Sequence, residues 1–343
     1  MRAFELAIDF TSAPKLGGNA ATRSVHSLPS DRLFSLISLG WIRLFGLNDY
    51  NSVLQKFIAG RPVFRHSDLF PFNNGSLWLP APRWAQKPAE SAKRRKRDKE
   101  HTAQAIETTS QTEASVELET LPEPNEAPTP TSAANAPRNQ SGALAGAETL
   151  ADENTLIRAE AFLAALFDSS QIRKNDVLHT DDRSSLRDAT QYRGWLLADD
   201  DAVIEKLNAC LEFMQADGFG AHRSTGSGTI KSVAIAPLDE QEKLTSTGRR
   251  KAAQHVILSA CCPTAEFVEA VEATAPGSNN YSLSYTSGWI FDEQGRPTNI
   301  RKPITCAFET GSVFACKPEG RLVEVGTDEH PAYRYGFPFI LSS

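Results

Sequence analysis

Four glycines within eleven positions, Gly218, Gly220, Gly226 and Gly228, bracket the run His222-Arg223-Ser224-Thr225 in the segment DGFGAHRSTGSGTIK at 217–231. Glycine admits positive φ and lets a ligand come close to the main-chain amides, while Arg223, Ser224 and Thr225 offer the donors that anionic oxygens need. The chemistry this composition suits is the grip of a phosphate or ribose. A Walker loop is excluded, because it needs Lys-Ser or Lys-Thr directly after its last glycine, and here Ser227 follows Gly226 while Lys231 lies beyond Gly228. A dinucleotide fingerprint is excluded too. It would place a third glycine where Arg223 stands and would run from strand to helix, whereas residues 202–215 read as a helix before the loop. A glycine-rich hairpin with no ligand is the other reading that composition alone permits.

The elements that must position this loop follow from periodicity. Residues 2–10, RAFELAIDF, alternate as a strand, and 12–23 form a glycine-containing loop carrying Lys15 and Arg23. Apolar residues recur at helical spacing over 29–45, with Ser30 or Asp31 placed to cap the start. Two short strands, 62–66 and 76–79, flank the turn Asn73-Asn74-Gly75. The stretch LIRAEAFLAALF after Thr155 carries a helical apolar stripe. Residues 171–197 read as an extended hairpin in which Arg183, Arg187 and Arg193 sit beside Tyr192 and Trp195. Interleaved basic and aromatic side chains suit RNA, and strand propensity accounts for the aromatics equally well. With the helix at 202–215 and a strand at 229–236, the order is strand, helix, strand, strand, helix, strand, which predicts an α+β, ferredoxin-like unit. Beyond residue 251, QHVILSACCP reads as a buried strand, TAEFVEAVEA as a short helix, and four further segments as strands, which predicts a second, strand-rich unit.

Residues 86–150 break the pattern. They are rich in Ala, Pro, Thr, Ser and Glu and open with Lys93-Arg94-Arg95-Lys96-Arg97, the composition of a disordered insertion. The domain plan is therefore 1–85 with 151–236 as the first unit, 86–150 as the insertion, and 237–343 as the second. Net charge is −6, yet residues 1–85 hold nine Lys or Arg against five acids, so one basic face toward RNA is compatible with the balance. Five cysteines with no Cys-x-x-Cys pair predict neither a zinc site nor a disulfide framework, and hence no metal and no cofactor. The N-terminal MRAFELAIDF has no signal-peptide run and no segment reaches the length of a membrane span, so a soluble cytoplasmic protein with no membrane partner is expected.

Five stretches in order resemble one family, the RAMP-superfamily subunit that holds the 5′ tag of the guide RNA in type III-A CRISPR (Csm) effector complexes. They are LPSDRLFSLI at 28–37, SDLFPFNNGSLWLPAPR at 67–83, the loop GFGAHRSTGSGTI, HVILSACCP, and ETGSVFACKPEG together with HPAYRYGFPFIL. The resemblance covers the chain except residues 86–150. Ala221-His222 stands where that family often has Gly-Lys, and the sister subunit of type III-B (Cmr) complexes shares the superfamily features.

The resemblance implies a non-catalytic scaffold of two ferredoxin-like (RRM-like, RAMP) domains with a glycine-rich loop and a projecting hairpin, for which 178–197 is the candidate here. Implied partners are the crRNA 5′ tag, the guide-target duplex, the large polymerase-cyclase subunit and the adjacent backbone RAMP subunit, in antiviral RNA targeting. Implied RNA contacts are Arg223, Ser224, Thr225 and His222, with the four glycines permitting close approach. His26, Ser30 and Asp31 before the first helix are further candidates, with Lys15 and Arg23 adding charge. Ser30 and Asp31 also read as a helix cap. Arg183 and Arg187 would meet the duplex, or else pair with Asp181, Asp182 or Asp188. Two other classes stay open: a metal-independent endoribonuclease using His26, His179 or His222 as general base, and a protein-protein adaptor without RNA affinity.

Overall fold

The computed structural model describes residues 1–14, 27–83, 156–162, 177–178, 189–215, 217–219, 226, 228–238, 254–275, 277–291 and 296–342. The segment 86–150 lies outside them. Strand β1 (Arg2–Phe10) alternates as its sequence predicts: Phe4, Leu6, Ile8 and Phe10 are buried on one face. Against that face pack helix α1 (Ser30–Phe45), through Leu33, Phe34, Ile37 and Trp41, and helix α3 (Asp201–Phe213), through Leu207, Cys210 and Leu211. Between them in sequence lies α2 (Leu47–Ile58), separated from α1 only by Gly46 at φ 85°.

Strands β2 (Phe64–His66), β3 (Phe70–Asn73), β4 (Ser76–Pro80), β5 (Leu156–Arg158), β6 (Val177–Leu178), β7 (Gln191–Ala198) and β8 (Ile230–Pro237) join β1 in one sheet, ordered β6-β5-β4-β3-β7-β1-β8 with β2 also on β7. Every registered pair in it is antiparallel. Asn74 and Gly75, at φ 52° and 75°, make the two-residue turn between β3 and β4 that their types predict.

Three sequence expectations change. Leu156–Arg158 is a strand on β4, with helical backbone only from residue 159, because pairing to Trp78, Leu79 and Pro80 outweighs the helical stripe. The hairpin expected over 171–197 is not formed by its two ends: β6 pairs with β5, whereas β7 pairs with β1, β2 and β3. Its intervening residues 179–188, with Arg183 and Arg187, lie outside the described residues. The aromatics of β7 are core, Tyr192 against Phe10 and Trp195 against Phe70 and Phe339. Arg193 donates to Asp9 at 2.7 Å and lies over the Phe72 ring. At Tyr192, Arg193 and Trp195, therefore, packing and pairing within the sheet account for the rings and the charge.

The C-terminal part comprises β9 (His255–Ile257), α4 (Ala265–Ala273), β10 (Leu283–Phe291), β11 (Pro297–Phe308), β12 (Val313–Phe314), β13 (Val323–Glu324), β14 (Tyr333–Arg334) and β15 (Ile340–Ser342). Its central sheet runs β12-β9-β15, and Thr264 Oγ1 caps α4 by accepting the Phe267 N–H at 3.2 Å. Tyr335 and Phe337 insert beside Phe34, Phe57 and Phe64. Phe70, Leu79, Ile157 and Trp195 share a second cluster with Val256, Leu258, Val313 and Phe339. Residues from the N-terminal and C-terminal parts of the chain thus share hydrophobic clusters. The tail after β4 reinforces the junction, since Arg83 donates to Glu309 at 2.8 Å and to the Gly311 carbonyl through its main chain. Among the described residues no helix is long and apolar enough to cross a membrane.

Candidate nucleic-acid interface

The neck of the glycine loop is built by backbone geometry. After α3 the chain turns, the Gly218 N–H donating to Met214 O at 3.0 Å, and Phe219 sinks into the core with 1% of its surface exposed, edge-on to Phe10. The Phe219 N–H then donates to Gly228 O at 2.8 Å, closing the loop. Gly228 has φ 70°, and a methyl group on it would overlap the Phe219 carbonyl oxygen, so only glycine fits where the two arms cross. Gly226, at φ 81°, has open space around its Cα instead.

The segment that follows β1 starts from the same place. Where β1 ends, its register with β8 shifts between Asp9 and Phe10, and the Thr11 N–H donates to Thr229 O at 2.8 Å. Ser12 Oγ donates to Gly226 O at 2.6 Å, and Thr229 Oγ1 donates to the same carbonyl at 3.1 Å. Pro14 lies 3.4 Å from where a Gly228 Cβ would be. Residues 15–26 follow Pro14, and residues 220–225 are bounded by Phe219 and Gly226. The two basic segments singled out in the sequence therefore start from one clamp, although Lys15, Arg23, His26, Gly220, His222, Arg223, Ser224 and Thr225 themselves lie outside the described residues.

Beyond residues 15–26 the chain is tied down as well. Leu28 and Leu69 exchange main-chain hydrogen bonds, and α1 begins at Ser30 after Pro29. Neither Ser30 nor Asp31 caps the helix. The carboxylate that does so is Asp68, whose Oδ1 accepts the Ser30 N–H at 2.8 Å. Ser30 is fully buried, so it takes its place inside the fold rather than on a surface open to RNA. Asp31 pairs with Arg334 at 3.0 Å.

Asp68 joins three parts of the chain. Besides Ser30 it accepts from Thr310 Oγ1 at 2.8 Å and Ser27 Oγ at 3.4 Å, while its own N–H donates to Leu258 O. Burial pushes its carboxyl up to about 6, against the pull of the Thr310 and Ser30 hydrogen bonds. No sequence signal marks a buried carboxylate whose partners lie 38 and 242 positions away. Nearby, His66 is fully buried and stacks on Tyr335 with ring centroids 4.6 Å apart, and burial lowers it to about 4. It is a neutral core residue.

The architecture is a mixed α/β fold built on antiparallel sheets, and it can be compared with known proteins. Residues 250–342 match the family model of the CRISPR Csm4 C-terminal domain. Over 98% of both chains the structure is similar to a chain of the Csm3-Csm4 subcomplex of a type III-A CRISPR-Cas interference complex, with a TM-score of 0.50 and 16% identity. A chain of a Csm1-Csm4 cassette in complex with cA4 aligns over 99% of this chain and 97% of its own, at a TM-score of 0.47 and 12% identity. No curated protein matches the sequence. The family match and the shared fold bear out the resemblance read in the sequence, to a Csm4-type RAMP subunit of type III-A complexes.

Proposed function

We propose that this chain is a non-catalytic subunit of a type III-A (Csm) effector complex that holds the 5′ tag of the crRNA. It docks the large polymerase-cyclase subunit and the adjacent backbone RAMP subunit, the latter in keeping with its likeness to a chain of the Csm3-Csm4 subcomplex. The observation that carries the RNA-binding part is the common clamp at Ser12, Gly226 and Gly228, which both basic segments adjoin in sequence. A single strand held by its phosphates needs cations on backbone open enough to approach, and Arg223, Ser224, Thr225 and His222 stand between the glycines that provide it. Lys15, Arg23 and His26 on the neighbouring loop supply further contacts.

The order β8-β1-β7-β2, with α1 and α3 packed on one face, supports a ferredoxin-like first domain over 1–85 and 151–236. The C-terminal family match supports a second domain within 237–343. Five unbridged cysteines fit a reducing cytoplasm.

In a titration of labelled tag RNA, Arg223→Ala is expected to weaken binding by about 1–3 kcal/mol, to a similar degree across tag sequences, and to reduce the salt slope. Unchanged affinity would remove the loop from the site. Incubation with repeat RNA in metal-free buffer is expected to leave the RNA intact. A specific cut lost on His222→Ala or His26→Ala would establish the endoribonuclease instead.

A further inference from the structure

Strands β10 and β11 form a two-stranded ribbon that pairs with no other strand among the described residues. One side of it is anchored: Ile290, Thr305 and Ala307 are buried. The other side carries large side chains into solvent, with Trp289 55%, Tyr285 41% and Ile304 72% exposed. Trp289 lies directly across from Arg301, which is also exposed and makes no ion pair among the described residues. Neither strand contains an Asp or Glu, and Arg301 and Lys302 are both basic.

We infer that this outward side is a second nucleic-acid contact, in which Trp289 and Tyr285 stack unpaired bases and Arg301 meets the adjacent phosphate. Two observations favour a single-stranded nucleic acid over a protein strand added to the edge. The register breaks between Thr286 and Gly288 and again between Trp289 and Phe291, and Asn299 sits at φ 62°, so the edges are twisted and irregular. Pro303 has no N–H to offer a neighbouring strand. A flat ring beside a cation is what stacking of bases of any sequence requires. The contact is separate from the glycine loop in sequence and in variants, so each can fail alone.

The test uses the full chain and single-stranded oligouridylate. Trp41, Trp78 and Trp195 are buried, and the fifth tryptophan, Trp84, is replaced by Phe throughout, so saturable quenching of tryptophan emission that disappears on adding Trp289→Phe reports stacking on Trp289. In a parallel titration of labelled RNA, Trp289→Ala is expected to weaken binding by about 5- to 150-fold, whereas Trp289→Phe, which keeps a ring, restores most of it. Arg301→Ala should lower the salt slope. Arg223→Ala should leave the quenching in place, which separates this contact from the tag site. Quenching that persists in Trp289→Phe overturns the inference. So does RNA affinity unchanged in both Trp289→Ala and Arg301→Ala. Loss of assembly with the backbone subunit in those variants while RNA affinity stays intact would assign the ribbon to protein and overturn it equally.

Discussion

Asp68→Ala lowers the free energy of unfolding by about 3 kcal/mol at about pH 5, measured by denaturant titration. The substitution strands the Ser30 N–H and the Thr310 hydroxyl in a dry interior and leaves a small void between them. The loss depends on pH in a defined direction. The folded carboxyl titrates at about 6, above the ordinary 3.8, so the folded state holds this proton more tightly than the unfolded chain does. The stability this provides is complete below about 3.8 and disappears as pH rises through about 6. Between about pH 5 and about pH 8 the wild type therefore gives up about 1 kcal/mol at this residue, and the penalty of Asp68→Ala shrinks by that amount. Asp68→Asn keeps an oxygen for the Ser30 N–H and cannot ionise, so the stability of the wild type relative to Asp68→Asn should fall by that amount over the same range, while burial of neutral His66 raises the stability of both proteins as pH rises. A difference between wild type and Asp68→Asn that does not change with pH would mean that the carboxyl is not held above its usual range.

Gly228→Ala is the second substitution with a large effect, expected to cost about 3 kcal/mol, because positive φ and overlap with the Phe219 carbonyl oxygen act together. Gly226→Ala, also at positive φ but in open space, should cost only about 1 kcal/mol. The pair separates strain from collision. Opening the neck also frees the segment between Phe219 and Gly226, so the Gly228 variant, under conditions where it is still folded, should lose tag affinity that the Gly226 variant keeps. Equal stability of the two variants would show that the arms of the loop do not cross as described.

What the sequence made legible was local. The alternation of β1, the apolar spacing of α1 and α3, the Asn-Gly turn after β3 and the short helix α4 each rest on neighbouring residues, and each is present. The glycine cluster was legible as open backbone, and the neck at Gly218, Gly226 and Gly228 has positive φ at all three. Helix α2 escaped because it follows α1 after Gly46 alone and starts without a side-chain cap, so neither a loop nor a capping residue announces it. Strand β5 escaped because a short apolar run fits helix and strand alike, and only its partner β4 decides. Burial of Tyr192 and Trp195 depends on Phe10, Phe70 and Phe339, which come from distant parts of the chain. The same holds for Asp68, which replaces Ser30 and Asp31 at the start of α1 although nothing nearby in sequence announces it.

The central claim is that the loops clamped at Ser12, Gly226 and Gly228 hold the tag. The most direct measurement is photocrosslinking of tag RNA to the full chain, with the crosslinked peptides identified by mass spectrometry. Crosslinks concentrated in residues 12–26 and 218–229 are the expected result. Saturable binding of the same RNA with crosslinks confined to other segments and both of these stretches bare would contradict the account.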